Sequence, residues 1–173
     1  MLQLPVKRAG ALTEREQRIF DFINRNSAGV LASVTPDGQP HATVIYYMID
    51  KDDFTISFLT KTGTEKHRNL VMNNHVELVI FESLSQTVAQ VFGTAEEITD
   101  PDVINIVADN IFHISMETSR GGVPPIAKLN AGEFTVFTII PSQIRIAYYR
   151  RPDSGGYSQV FESIESFDLK PTA

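Results

Sequence analysis

The stretch FLTKTGTEKHRNL, residues 58–70, predicts a strand that ends in a short turn and leads directly into a helix. A helix N-terminus presents backbone N–H groups without intrahelical partners and carries a partial positive charge, and both favour a bound phosphate. Thr60 and Thr64 add hydroxyl donors, while Lys61 and Lys66 add positive charge. An ordinary capped helix with solvated lysines fits the same local pattern. The stretch therefore predicts either a structural helix start or a phosphate site.

The residues before this stretch predict one helix and a three-stranded meander. Thr13 and Glu16 have the spacing of a capping box at the start of a helix over 13–26. Its apolar face would consist of Ile19, Phe20 and Ile23. Strands are expected at 28–34, 41–47 and 54–59. A Pro-Asp-Gly turn at 36–38 joins the first two strands into a hairpin.

The residues after the stretch predict further strands around one more helix. Strands are expected at 76–81, 86–98, 133–140 and 143–149. Gly93 predicts a bulge or sharp bend, and Pro141 predicts a hinge between the last two strands. Asp100 and Pro101 have the form of a helix start, and Val103, Ile104, Val107 and Ile111 follow at helical spacing. Antiparallel strands without strand–helix alternation predict a mainly β fold, a small barrel with peripheral helices.

The chain is expected to form a single domain over 1–173, with its core at about 27–150. The helix at 64–73 should bury Leu70 and Val71, and glycines and prolines at 120–125 predict a mobile loop. The polar tail at 151–173 is expected to pack loosely.

Composition narrows the class of protein and its partners. The 173 residues are 42% hydrophobic and 21% charged, close to globular averages, and include no cysteine. The longest apolar runs are too short to span a membrane or form a secretory signal, which predicts a soluble cytoplasmic protein. The net charge of −6 disfavours binding to a nucleic acid. Basic residues crowd at 61–68 on this acidic chain, which suits one small anion better than a polymer.

Few residues carry recognisable catalytic or metal-binding patterns. The histidines at 41, 67, 75 and 113 are scattered and predict no metal site. The sequence has neither a Gly-x-Ser-x-Gly elbow nor a Walker-type loop, so hydrolase and nucleotide triphosphatase activities lack support. No catalytic side chain is identified.

Five segments, read in order, resemble the FMN-binding split-barrel family, the pyridoxamine 5′-phosphate oxidase-like superfamily. They are GVLASVTPDGQPHATVIYY, ISFLTKTGTEKHRNL, NNHVELVI, QTVAQVFGTAEEI and AGEFTVFTIIPSQIRI. The resemblance covers roughly residues 27–150 and implies a split antiparallel β-barrel. It also implies a homodimer that binds FMN at the subunit interface and acts as a flavin-dependent oxidoreductase on an unassigned small molecule or electron donor.

The resemblance also implies a set of cofactor-binding residues. Lys66 matches the lysine that contacts the FMN phosphate, Thr64 matches the hydroxyl residue two before it, and Lys61 supplies further charge. Leu59 and Thr60 match strand-end positions beside the ribityl phosphate. Strand residues Thr43, Val44 and Ile45 match the backbone that borders the flavin ring. Gln86 lies two residues before the position of a flavin-contacting glutamine and, by strand alternation, would share its face.

Two departures from the family qualify its function. Glu65 replaces the family's arginine beside Lys66, which removes positive charge from the phosphate site. No histidine follows His113, so the C-terminal arginine-and-histidine motif of enzymes that oxidise vitamin B6 is missing. The sequence leaves open the same barrel with haem or a deazaflavin, or a protein that binds or senses flavin without turnover.

Overall fold

Three helices and seven strands make up the described part of the chain, which comprises residues 11–119, 133–149 and 163–168 of a computed structural model. The helices are α1 (Glu14–Arg25), α2 (Glu65–Met72) and α3 (Pro101–Thr118). The strands are β1 (Ala28–Val34), β2 (Pro40–Ile49), β3 (Ile56–Lys61), β4 (His75–Glu82), β5 (Thr87–Glu97), β6 (Phe134–Tyr148) and β7 (Ser163–Asp168).

The strands form an antiparallel barrel in the order β3–β2–β1–β4–β5–β6, which the pairing of β6 with β3 closes. Strand β6 is long enough to pair with β3 through its first half and with β7 through its second. A barrel removes the unpaired edges that an open sheet would expose. The mainly β fold predicted from the sequence is confirmed.

The barrel is split between β2 and β3. These strands pair only from Tyr47–Phe58 to Ile49–Ile56, so the earlier part of β2, from Pro40 to Tyr46, pairs with β1 alone. The start of β2 and the end of β3 therefore separate, and α2 begins directly after β3. This geometry places the start of α2 at the opening of the barrel wall.

Two apolar clusters hold the fold together. Alternate strand residues such as Leu31, Phe58 and Leu78 fill the barrel, and α1 packs its buried side chains against that core. Tyr47 links the barrel core to α1, because its buried hydroxyl donates to the Ile23 carbonyl of α1 at 2.9 Å. Helix α3 covers the outside of the barrel, where Val107 belongs to a second cluster with residues of β3 and β6.

The bulge expected at Gly93 is confirmed. Phe92 pairs with Gln143 and Gly93 pairs with Pro141, so Ser142 is the extra residue on β6. A Cβ atom on Gly93 would collide with the Ile140 carbonyl oxygen, so only glycine allows this close approach. The hinge expected at Pro141 is wrong, because β6 continues through the bulge as one strand.

Several expected details are corrected by tertiary packing. Phe22, not Phe20, is the fully buried phenylalanine of α1. In α2 the buried neighbour of Leu70 is Asn69, while Val71 is 59% exposed. In α3 Val103 is exposed on the outer side. Part of the C-terminal tail forms β7 and pairs with β6, contrary to the loose packing expected.

The predicted loop at 120–125 lies outside the described residues, as does the rest of the C-terminal tail. Within the described ranges, no helix is long and apolar enough to cross a membrane.

Candidate functional site

The turn from β3 into α2 is built by its own hydroxyl groups. Thr64 is the N-cap of α2, and its side chain accepts a hydrogen bond from the His67 N–H at 3.4 Å. The same hydroxyl donates to the Lys61 carbonyl at 2.8 Å. Gly63 has a φ of 75°, a left-handed conformation that glycine adopts without strain. The predicted strand–turn–helix is therefore confirmed, with a threonine cap at its centre.

The threonine hydroxyls of this turn already have protein partners. The Thr60 hydroxyl oxygen lies 3.4 Å from that of Thr64, and Thr62 lies 3.0 Å from Thr135 on β6. The N–H groups of Glu65 and Lys66, in contrast, have no hydrogen-bond partner among the described residues. The backbone at the start of α2, more than the hydroxyls, therefore offers donors to a bound anion.

Lys66 is a partly buried cation without a counter-charge. No carboxylate of the described ranges forms an ion pair with it, and burial lowers its pKa to about 8. It also lies in the first turn of α2, where the helix dipole disfavours positive charge. Desolvation and the dipole both act against an ammonium group here. A bound anion would offset both, which makes this residue the centre of a candidate anion site.

Strand β2 presents the predicted ring-bordering residues to opposite sides of the barrel wall. Val44 points outward and is 68% exposed, whereas Ile45 lies in the core with 3% exposure. Thr43 shares the inner face with Ile45, and its buried hydroxyl oxygen has no hydrogen-bond partner. Only Val44 and the strand backbone could therefore border a planar ring on the outer surface.

A further polar group lies beneath α2, and we call it the inner polar cluster: Ser33, His41, Thr43 and Asn69. The Asn69 amide lies 3.5 Å from the Ser33 hydroxyl, and Ser33 pairs with His41 across β1 and β2. His41 Nδ1, Thr43 Oγ1 and Asn69 Oδ1 are buried without partners. Buried polar atoms normally have a hydrogen-bond partner, so these three call for water or ligand atoms.

The start of β2 and the start of α2 meet at one contact. His41 Nε2 lies 3.8 Å from Glu65 Oε2. Thr43 lies two residues from His41 on the same strand face. The contact therefore brings the start of β2 next to the start of α2.

The side chains of Leu59 and Gln86 make other contacts, whereas Lys61 lies beside the α2 start, where its carbonyl accepts from Thr64. The Leu59 side chain packs outside the barrel in the cluster beneath α3. Lys61 is exposed at the end of β3. Gln86 lies in the turn before β5 with a φ of 51°, so strand alternation does not extend to it, and its amide donates to Ser83 at 2.6 Å.

Sequence reasoning missed Asn69 and His41 as parts of this region. Asn69 follows Lys66 by three residues and precedes Leu70, so helical spacing placed a polar residue on the buried face. His41 had no comparable signal, because its contact with Glu65 depends on how β2 and α2 pack. Within the described ranges, no group of three or more histidines and acids could hold a metal ion.

A family comparison agrees with this architecture. The family model for pyridoxamine 5′-phosphate oxidase matches residues 16–146, which is more than half of the chain. The protein is a split β-barrel with a candidate anion site at one helix start. It belongs to the pyridoxamine 5′-phosphate oxidase-like family of FMN-binding split barrels. No curated protein sequence matches the chain.

Solved structures share the fold. A Listeria innocua protein, named as a candidate pyridoxamine 5′-phosphate oxidase, is 26% identical with a TM-score of 0.59, covering 77% of this chain and 98% of its own. A Nostoc punctiforme protein named as pyridoxamine 5′-phosphate oxidase-related and FMN-binding is 16% identical with a TM-score of 0.57. The match covers 94% of this chain and 100% of the Nostoc chain. A haem-binding protein from Mycobacterium smegmatis is 18% identical with a TM-score of 0.61. The match covers 89% of this chain and 57% of the Mycobacterium chain.

Proposed function

We propose that this protein binds FMN, with the flavin phosphate at the start of α2 and the ring along the outer face of β2. One observation carries the proposal: Lys66 is partly buried and has no ion-pair partner among the described residues, and the backbone N–H groups of Glu65 and Lys66 beside it have no hydrogen-bond partner there. A phosphate monoester accepts hydrogen bonds from all three groups and supplies the missing negative charge. The FMN-binding name of the Nostoc punctiforme protein supports the same ligand.

The outer surface of the barrel supports a ring bound between two copies of the chain. Val30 and Val44 are adjacent on paired strands and are 42% and 68% exposed. Phe81 on β4 adds another exposed apolar side chain, at 56%. Exposed apolar side chains on neighbouring strands are typical of an interface. We therefore propose a homodimer in which the second copy covers this face and completes the flavin site.

Bound FMN would supply electron or hydride transfer, and the protein would hold and orient it. We propose a flavin-dependent oxidoreductase acting on a small molecule whose identity is unassigned. Lys66 and the α2 backbone would fix the phosphate, while the exposed strand backbone near Val44 would position the ring. No acid or base in the described site has a geometry that requires a proton-transfer role.

The visible absorption spectrum of the purified protein, followed by titration with FMN and riboflavin, tests the ligand. A flavin spectrum and tighter binding of FMN than of riboflavin are expected, because only FMN has a phosphate for Lys66. Equal affinity for the two flavins would contradict the phosphate site. Failure to take up added FMN would contradict the proposal as a whole.

The same spectrum separates the alternatives left open by the sequence. A Soret band would indicate haem, which the name of the Mycobacterium smegmatis neighbour makes a specific rival. Bleaching of bound flavin by NADH or NADPH would indicate a reductase. A flavin that no donor reduces would favour a protein that binds or senses flavin without turnover.

Sedimentation at micromolar concentration tests the dimer. The expected mass is about twice the 19.3 kDa of one chain. Val44→Glu should shift the protein towards monomer, because it places a charge in the proposed apolar interface. A wild-type monomer that binds FMN tightly would contradict the shared site.

A further inference from the structure

We propose that Glu65 competes with a bound phosphate for the start of α2, and that His41 reduces this competition by holding the carboxylate towards β2. The inference rests on the proposed phosphate site and assigns a specificity-determining residue and a positioning residue to it. Glu65 directly precedes Lys66, the central lysine of that site.

Glu65 is the first residue of α2, where the helix dipole stabilises an acid. The same partial charge and the same unpaired N–H groups would bind a phosphate. The Glu65 side chain is 57% exposed and has room to move. The same helix dipole and the same N–H groups therefore favour either the Glu65 carboxylate or a phosphate at this position.

The Glu65 carboxylate does not occupy it in the structure. It forms no ion pair with Lys66, and Oε2 lies 3.8 Å from His41 Nε2. The His41 side chain is only 21% exposed, with Nδ1 buried in the inner polar cluster. The ring is thus mostly buried in the barrel wall, with Nε2 on the side of Glu65. Its position leaves Lys66 available to an anion.

Other charges near the turn do not replace this contact. Arg68 Nη1 donates to the Gly63 carbonyl at 2.7 Å, and Lys61 is exposed at the strand end. Neither forms an ion pair with Glu65 among the described residues. His41 is therefore the group that can hold the carboxylate on the β2 side.

A double-mutant cycle on the full-length protein tests the inference through the ratio of FMN to riboflavin affinity. Glu65→Gln should tighten FMN by about three- to tenfold, the range of a partly screened charge acting on a dianion. His41→Ala should weaken FMN by about the same factor. The double variant should behave like Glu65→Gln, because His41 has no carboxylate left to hold. Riboflavin affinity should change by less than about twofold throughout.

Two controls separate this effect from general damage. Glu14→Gln removes the acid at the same position of α1 and should leave FMN affinity unchanged. His41→Gln retains an amide donor and should recover most of the wild-type FMN affinity. If His41→Ala weakens both flavins equally, or if Glu65→Gln does not suppress its loss, the inference is wrong.

Inorganic phosphate, followed through the amide chemical shifts of Glu65 and Lys66, distinguishes this inference from the proposal of FMN. If the protein binds no flavin but phosphate affinity ranks the variants in the same order, the inference stands and the FMN proposal falls. If FMN binds and its ratio to riboflavin does not change in Glu65→Gln, the inference falls and the FMN proposal stands. If neither FMN nor inorganic phosphate binds, both proposals are overturned.

Discussion

The starts of α1 and α2 share a local sequence pattern and differ in what they leave unsatisfied. Each has a threonine N-cap, a glutamate at the first position and a cation at the second. In α1, Glu16 closes a capping box by accepting from the Thr13 N–H at 2.8 Å. The cation Arg15 donates to the Ser166 carbonyl of β7 at 2.8 Å. The threonine cap and the cation of α1 therefore both have partners within the fold.

The start of α2 lacks both of these partners. His67 stands where α1 has Glu16, so no carboxylate returns to the threonine cap. Lys66 has no partner among the described residues, whereas Arg15 has one. The comparison teaches that a helix start becomes a candidate binding site when its third residue returns no carboxylate to the cap and its cation has no internal partner.

The largest expected effect comes from removing the cation at the start of α2. Lys66→Met should weaken FMN by about ten- to a hundredfold, since a charge-assisted hydrogen bond contributes roughly 1.5–3 kcal/mol. Riboflavin should bind nearly as before. Arg15→Met is the matched control and should leave FMN affinity unchanged. Fluorescence titration measures all three, and an equal loss in both variants would remove the distinction between the helices.

A smaller effect is expected in the pH dependence of stability. The pKa of Lys66 is about 8 when folded and about 10.5 when unfolded, so the unfolded chain binds more protons between these values. The free energy of unfolding should therefore rise with pH across this window, and the destabilisation is fully present below pH 8. Between pH 7 and 9.5 the free energy of unfolding of the wild type should rise by about 1–2 kcal/mol more than that of Lys66→Met.

Urea denaturation of both proteins without flavin, at several pH values, measures this difference. The stability difference between wild type and Arg15→Met should not change with pH in this way, because no lysine titrates at the start of α1. Saturating FMN should reduce the difference seen with Lys66→Met, since a bound phosphate raises the pKa of Lys66. An unchanged difference between pH 7 and 9.5 would show that burial does not depress this pKa.

The smallest effect is expected from the threonine caps. Thr13→Ala should lower the free energy of unfolding by about 1–2 kcal/mol, because it breaks the capping box. Thr64→Ala should cost less, about 0.5–1 kcal/mol, since no carboxylate returns to the Thr64 backbone as Glu16 does to Thr13 in α1. Urea denaturation of the two variants compares them directly. A larger loss at Thr64 would mean that the α2 start contributes more to folding than its geometry indicates.

Much of the fold followed from short-range patterns. The strand over residues 28–34, the capping box of α1 and the Asp100-Pro101 start of α3 agree with the structure. The bulge at Gly93 was also predictable, because a glycine inside a strand marks a close backbone approach. Strand β7 was not, because its polar residues become a strand only through pairing with β6.

The site was predictable in part. The turn at 60–66 follows from threonine, glycine and lysine at the end of a strand, and the structure places these residues together. The engagement of Thr60 with Thr64, and the direction of Leu59 under α3, depended on packing. Which donors remain available to a ligand was therefore decided after the chain had folded.

The sequence by itself determined the strand periods, the helix starts and the basic cluster beside an acidic residue, because these depend on neighbours within a few positions. Only the tertiary structure decided that β2 pairs with β3 from Tyr47 onward and not before it, and that His41 meets Glu65. The two contacts join residues 7 to 11 and 24 positions apart in the chain, and their geometry arises from strand register and helix packing. The physical reason is that burial and pairing are properties of the whole barrel, whereas a local pattern records only which contacts a residue is able to make.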